Sequence, residues 1–253
     1  MRLLLLLLMA IITSPLRAED AANSAQSHYE AGDYAQATRL YEQILRDTTP
    51  SAALWFNLGN AAWRSDHPGA AIHAWRSAEL LAPRDVDIHT NLELARSKRT
   101  DQLPAEEDEA DWRSFFFWYH SLSLSEHVWL TLLLNLVAWL SLTRWWWRGR
   151  GDLPLYIPFF FVMWLAAGGV TVARHVELAN HPGAVVLHPE VTARSGTDVG
   201  GMALFYLHEG AEVTVEEMRN DWIRIRLPDG RRGWVQAELL GVVGQVPPPG
   251  VSP

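Results

Sequence analysis

Asn60 and Arg64 stand one helical turn apart, so an amide and a guanidinium could grip one carboxylate together. Tyr29, Phe56 and Trp63 add aromatic area in the same half of the chain. A second set lies toward the C-terminus: Arg194, Tyr206, Trp222 and Trp234. Aromatic rings offer large, rigid contact area for an extended peptide. Each set also has a plainer reading. Trp63 could pack on the next helix with Arg64 solvated, and Trp222 and Trp234 could fill a small core. Both sets belong to binding chemistry rather than bond-making chemistry. The ten His are scattered, with no His-Glu-x-x-His, no Gly-x-Ser-x-Gly and no phosphate-binding glycine loop. His175, His181 and His188 are six and seven residues apart, spacings that suit neither a helix face nor a hairpin metal site, and read as surface residues. There is no Cys, which excludes disulfides, thiolate zinc sites, a cysteine nucleophile and a lipoprotein anchor. A net charge of −8 argues against binding a nucleic-acid backbone. The expectation is a non-enzymatic protein without cofactor or metal.

The elements that must position these residues fall into blocks. Trp55, Leu58, Gly59, Ala62, Ala71, Trp75, Ala78 and Pro83 occupy positions 4, 7, 8, 11, 20, 24, 27 and 32 of a 34-residue unit. Gly59 and Ala71 are small where two helices would cross, Trp75 fills the adjacent space, and Pro83 ends the second helix. A weaker copy lies 34 residues earlier, with Ala25, Ala37, Tyr41 and Ile44, and Gly32-Asp33-Tyr34 as its turn. A third pattern, Asp87 to Arg99, places Ile88, Leu92 and Ala95 on one face. This spacing resembles the tetratricopeptide repeat, followed by a capping helix, over residues 19–100. The resemblance implies a concave groove lined by the first helix of each pair, with Tyr29, Phe56, Asn60, Trp63 and Arg64 facing inward.

The extreme N-terminus, 1–18, has the form of an export signal: Arg2, an apolar run from Leu3 to Ile12, Pro15, and Ala18 at the cleavage point. Residues 101–113 form an acidic, self-repelling linker. Aromatic residues from Phe115 to Tyr119 suit a membrane interface. Across 114–175 two uncharged runs predict membrane helices, at about 126–147 and 154–173. Asn135 within the first span could line a polar site or bond the other helix. Arg144, Arg148 and Arg150 lie between the spans. By the positive-inside rule the loop near 144–152 is cytoplasmic, with both soluble parts on the outer side.

From 183 to 245 the period changes to alternation. Trp222 to Leu227 alternates apolar and basic, Pro228-Asp229-Gly230 turns, and Gly233-Trp234-Val235 begins the returning strand. Val185–Leu187, Val191–Ala193 and Ala211–Val215 add short strands, with His208-Glu209-Gly210 as a turn, giving a small barrel. Arg194-Ser195-Gly196, Leu207 to Gly210, Asp221-Trp222 and Asp229 to Val235 resemble, in order, the bacterial SH3 domain. That resemblance implies an SH3-like barrel, some of whose relatives hold peptidoglycan peptides, with Arg194, Tyr206, Trp222 and Trp234 as groove candidates.

The predicted architecture is therefore multidomain: an all-α helical repeat, a two-helix transmembrane hairpin and an all-β SH3-like barrel. That order of parts, with Asn91-Leu92-Glu93-Leu94-Ala95-Arg96 after the repeats, resembles the BatE-type proteins of the Bat aerotolerance clusters. The resemblance implies a bacterial inner-membrane protein with both soluble domains in the periplasm. It also implies partners carrying von Willebrand factor A domains, a MoxR-type ATPase system and a role in envelope stress. The expected function is a scaffold. The alternative is an envelope sensor that binds peptidoglycan through its SH3-like domain.

Overall fold

The computed structural model describes residues 19–101, 119, 121–149, 151–198 and 200–247. The predicted export signal and nearly all of the acidic linker and aromatic cluster lie outside them. The described residues form two compact units. One joins the helices before residue 102 to the segment from Gly183 onward, and the other holds the two long helices between them.

Five helices open the first unit: α1 (19–30), α2 (Tyr34–Asp47), α3 (Ala52–Arg64), α4 (Pro68–Leu81) and α5 (Val86–Lys98). Their starts follow from local chemistry. Asp33, Ser51 and Asp85 accept hydrogen bonds from backbone N–H groups of the first turn, and Pro68 occupies the first turn of α4, where a missing N–H costs nothing. Gly32 turns the chain into α2 with φ of +81°. Tyr41, Trp55, Ile72, Trp75, Ile88 and Leu92 fill the helical core. A Cβ on Gly59 would stand 2.5 Å from the Trp75 ring, so the close crossing of α3 and α4 requires glycine there.

The C-terminal part is one antiparallel sheet: β1 (Gly183–Val186), β2 (Glu190–Arg194), β3 (Ala203–His208), β4 (Glu212–Arg219), β5 (Trp222–Arg226), β6 (Arg232–Gln236) and β7 (Leu240–Val242). The strand order is β3-β2-β6-β5-β4-β1-β7. Alternation sends Val191, Ala193, Val213, Val215, Ile223, Ile225 and Val235 into the sheet's own core. Two features go beyond what the alternation predicts. Residues 203–208 form an edge strand, and β4 runs past Val215 to Arg219 through a register shift between Val215 and Glu217. Such a bulge interrupts the alternation by which a strand is recognised.

The sheet does not stand apart from the helices. β1 is buried on both faces: Ala184 and Val186 join the sheet core, while Val185 joins the helical core. Gly69, His73 and Ser77, spaced by four along one stripe of α4, all meet the C-terminal segment. Gly69 N–H donates to Glu209 Oε1 (2.8 Å), His73 Nε2 donates to Val242 O (2.9 Å), and Gly244 N–H donates to Ser77 Oγ (2.9 Å). A Cβ on Gly241 would lie 2.8 Å from His73 Cδ2, and one on Gly69 2.5 Å from Val186 O. The helix and sheet backbones approach this closely only because glycine has no side chain. Burial pushes the His73 imidazole below its usual range against the raising effect of backbone hydrogen bonds, which favours the neutral ring.

The second unit contains α6 (Leu124–Trp147) and α7 (Tyr156–Asn180), packed on each other. Ser123 and Glu126 close a reciprocal capping box at the start of α6. Thr131 and Thr171 hydrogen-bond across the pair at 2.9 Å, and Gly168 lies against Thr131. Asn135 is half-buried on the same stripe of α6 as Thr131 and Ala138. Leu132, Leu133, Leu136, Phe159, Val162 and Leu165 are exposed on the outer faces. Both helices are long and apolar enough to cross a membrane, with mean hydropathy 1.3 and 1.7. Helix α7 continues past the uncharged run through Arg174 to Asn180, where Arg174 and Glu177 pair at 2.9 Å.

Candidate functional site

On the helical part, four of the five predicted groove residues divide into two clusters rather than one. Asn60 does not join Arg64. Its Oδ1 accepts from Trp75 Nε1 (3.2 Å) and Asn91 Nδ2 (3.1 Å), tying α3 to α4 and α5. Trp63 packs on Trp75 with ring centres 5.7 Å apart, and Lys98 Nζ stands 5.3 Å from the Trp63 ring centre. Arg64 turns the other way. It donates to the Tyr34 hydroxyl at 2.6 Å and lies 4.8 Å from that ring's centre. Tyr29 meets the same Tyr34 edge to face at 5.3 Å. Phe56 is half-buried against the helical core. The exposed chemistry of this face is thus Tyr29–Tyr34–Arg64 at one place and Trp63–Lys98 at another. The sequence marks Tyr34 only as part of a turn and Asn91 only as part of the segment after the repeats, and does not single out Lys98, because each faces the groove residues from a neighbouring element. A periodic pattern ranks residues within a helix and is silent on what faces them.

On the sheet, Trp222 and Trp234 are half-buried and belong to neither hydrophobic core. They alternate with Ile223 and Val235, which point inward, so both indoles stand on the outer face. Tyr206, on edge strand β3, is 56% exposed. Arg194 opposes Trp234 in register and donates to Gly201 O at 2.9 Å. A cleft of about 270 Å³ crosses this face, lined by Arg194, Ser195, Leu204, Arg224, Arg232 and Trp234. Arg194 and Trp234 therefore share a cleft, which Tyr206 and Trp222 do not line.

The face is strongly basic for so acidic a chain. Arg224, Arg226 and Arg232 surround Glu216 at 3.5, 3.4 and 3.0 Å. Arg219 pairs with Glu217 at 2.6 Å and lies 5.3 Å from the Trp234 ring centre. The bulge in β4 brings the two consecutive glutamates, 216 and 217, among these arginines.

A second carboxylate cluster lies four residues earlier on β4. Glu212 receives Arg96 Nε and Nη2, both at 2.7 Å, Arg99 Nη1 at 3.1 Å, and an ion pair from Arg76 Nε at 3.2 Å. Burial alone would raise the Glu212 carboxyl. The Arg96 hydrogen bonds and the charges of Arg76, Arg96 and Arg99 outweigh it and hold the group below its usual range. Nearby, Asp101 accepts from both the backbone N–H (2.7 Å) and Nδ1 (2.9 Å) of His208, pinning the chain to the sheet where the acidic linker begins.

Comparison with known proteins is consistent with this division. No curated protein matches the chain. Residues 190–241, from the start of β2 into β7, match the bacterial SH3 domain, a domain type that suggests binding of protein or peptidoglycan.

Proposed function

We propose that the chain is a non-enzymatic scaffold of the bacterial inner membrane, presenting two binding faces to the periplasm from one compact body. One face belongs to the helices, read as tetratricopeptide repeats, and the other to the SH3-like sheet. The observation that carries this reading is the set of contacts between segments that flank the apolar hairpin. His73 with Val242, Ser77 with Gly244, and Glu212 with three arginines join residues before the hairpin to residues after it. Such contacts cannot form across a bilayer. Two crossings return the chain to the side it left, and the basic residues Arg144, Arg148 and Arg150 between the spans favour a cytoplasmic loop. Two faces fixed in one body raise the effective concentration of one partner for the other.

The BatE-type resemblance supplies the partner class: proteins with von Willebrand factor A domains, working with a MoxR-type ATPase in envelope stress or aerotolerance. The test is affinity capture of the full chain from crosslinked membranes, alongside an Arg64→Ala, Lys98→Ala variant. These side chains are the accessible parts of the helical face, and their loss leaves the Trp63–Trp75 packing in place. Recovery of a von Willebrand-type partner by the parent, and its loss from the variant, is the expected result. Recovery of no protein by either would end the scaffold reading.

A second reading, a peptidoglycan-binding sensor, is favoured by the bacterial SH3 match and the outward Trp222 and Trp234. It requires sedimentation of the detergent-solubilised chain with purified sacculi.

A further inference from the structure

The arginines around Glu216 differ from those around Glu212 in what their N–H groups do. Arg96 alone spends two hydrogen bonds on Glu212. Arg224, Arg226 and Arg232 each come nearest Glu216 through Nε, at ion-pair distance. Among the described residues none of the three guanidinium groups donates a hydrogen bond, although each carries five N–H donors. Their side chains are 39, 43 and 54% exposed, so these donors face water. Glu216 gathers positive charge at one place and leaves its hydrogen-bonding capacity open. Arg224 and Arg232 line the cleft of about 270 Å³ together with Arg194, while Trp234 and Leu204 give it apolar walls.

We infer that this cleft receives side-chain carboxylates of an acidic protein segment; the inference rests on the scaffold reading and names the ligand class of the sheet face. A guanidinium presents paired donors that match a carboxylate bidentately, and Glu216 shows that these three already converge on one. The indole of Trp234 and the aliphatic Leu204 beside the charge fit a chain that alternates carboxylates with apolar groups. A bare oxyanion would leave those surfaces uncovered.

The experiment is fluorescence anisotropy of labelled hexaglutamate titrated with the full chain in neutral detergent, with hexaglutamine as the uncharged control. Hexaglutamate binds and hexaglutamine does not. Arg224→Gln with Arg232→Gln weakens binding by about tenfold or more. Arg39→Gln, on an exposed helix face, leaves it unchanged. Glu216→Gln removes the internal competitor without weakening binding, whereas a cluster that shapes the cleft only through Glu216 would lose it. Unchanged binding in the double variant overturns the inference, as does weakened binding in Glu216→Gln. Displacement by inorganic phosphate but not by acetate reassigns the cleft to phosphate and also overturns it. Loss of peptide binding with partner capture intact leaves the scaffold standing on its helical face; the reverse outcome leaves the cleft standing without the scaffold.

Discussion

Glu212 and Glu216 sit on one strand, with side chains about equally shielded at 20 and 18% exposure, and each is ringed by three arginines. The arginines decide what each cluster does. Those of Glu212 come from α4, α5 and the residue after α5, more than a hundred positions away in the chain; Arg96 and Arg99 donate hydrogen bonds to it and Arg76 adds an ion pair. Those of Glu216 come from the adjoining strand β5 and from β6 beyond it, and stay open to water. The same residue types thus join two parts of the fold in one case and dress a surface in the other. Contact order and donor use separate the two; composition does not.

The sharpest way to break the comparison is Glu212→Ala. Three guanidinium groups would lose their shared carboxylate in a shielded contact, at a cost of about 3–5 kcal/mol. Chemical unfolding of the detergent-solubilised chain measures it, and a loss no greater than for an exposed pair would make the two clusters equivalent. Next in size is Gly241→Ala, which presses a methyl group into the His73 ring and should cost about 1–3 kcal/mol. A neutral effect there would mean that α4 and β7 are not held in close contact.

Acid should act on the Glu212 side of the comparison. The folded Glu212 carboxyl lies below its ordinary value of 4.5, so between the two the unfolded chain binds the extra proton. The stability it confers is complete above 4.5 and is lost as pH falls through the folded value. His73 behaves alike from its ordinary 6.5 downward, because its buried ring resists protonation. Each group contributes a slope of at most ~1.4 kcal/mol per pH unit. Unfolding midpoints measured from pH 7 to pH 4 should fall, and His73→Gln should flatten the upper part of that range. Smallest of all is Glu216→Gln, expected to change stability by less than about 1 kcal/mol because its partners remain hydrated. A larger loss in the same unfolding assay would place Glu216 with Glu212.

Much of this fold is legible in the amino-acid sequence. The spacing of Gly59 and Trp75, the polar caps, the uncharged runs and the alternation from Trp222 to Leu227 are local signals, each contained within one element. The two outward indoles follow from that alternation once their inward neighbours are counted. What escapes is non-local or irregular. Asn60 looks like a ligand-gripping amide because nothing in its own helix shows that Trp75 and Asn91 claim its oxygen. His73 and Ser77 look like ordinary helix residues, yet their four-residue spacing with Gly69 marks the stripe that meets the sheet. Edge strand β3 alternates poorly, since one of its sides lacks a partner strand. The Glu216 cluster is hidden in a bulge that breaks the period.

The central proposal is that the helices before the apolar hairpin and the sheet after it form one body on one side of a membrane. The chain has no native Cys, so paired thiols can be introduced without background. The direct measurement is crosslinking of an Asp101→Cys, His208→Cys chain in intact membranes by a short bismaleimide, at side chains that meet at 2.9 Å and are both partly exposed, with each single variant labelled by a membrane-impermeant maleimide. An intramolecular crosslink in high yield, and labelling of both single variants from the same side, is the expected result. Labelling from opposite sides, or no crosslink where both thiols react, would contradict it.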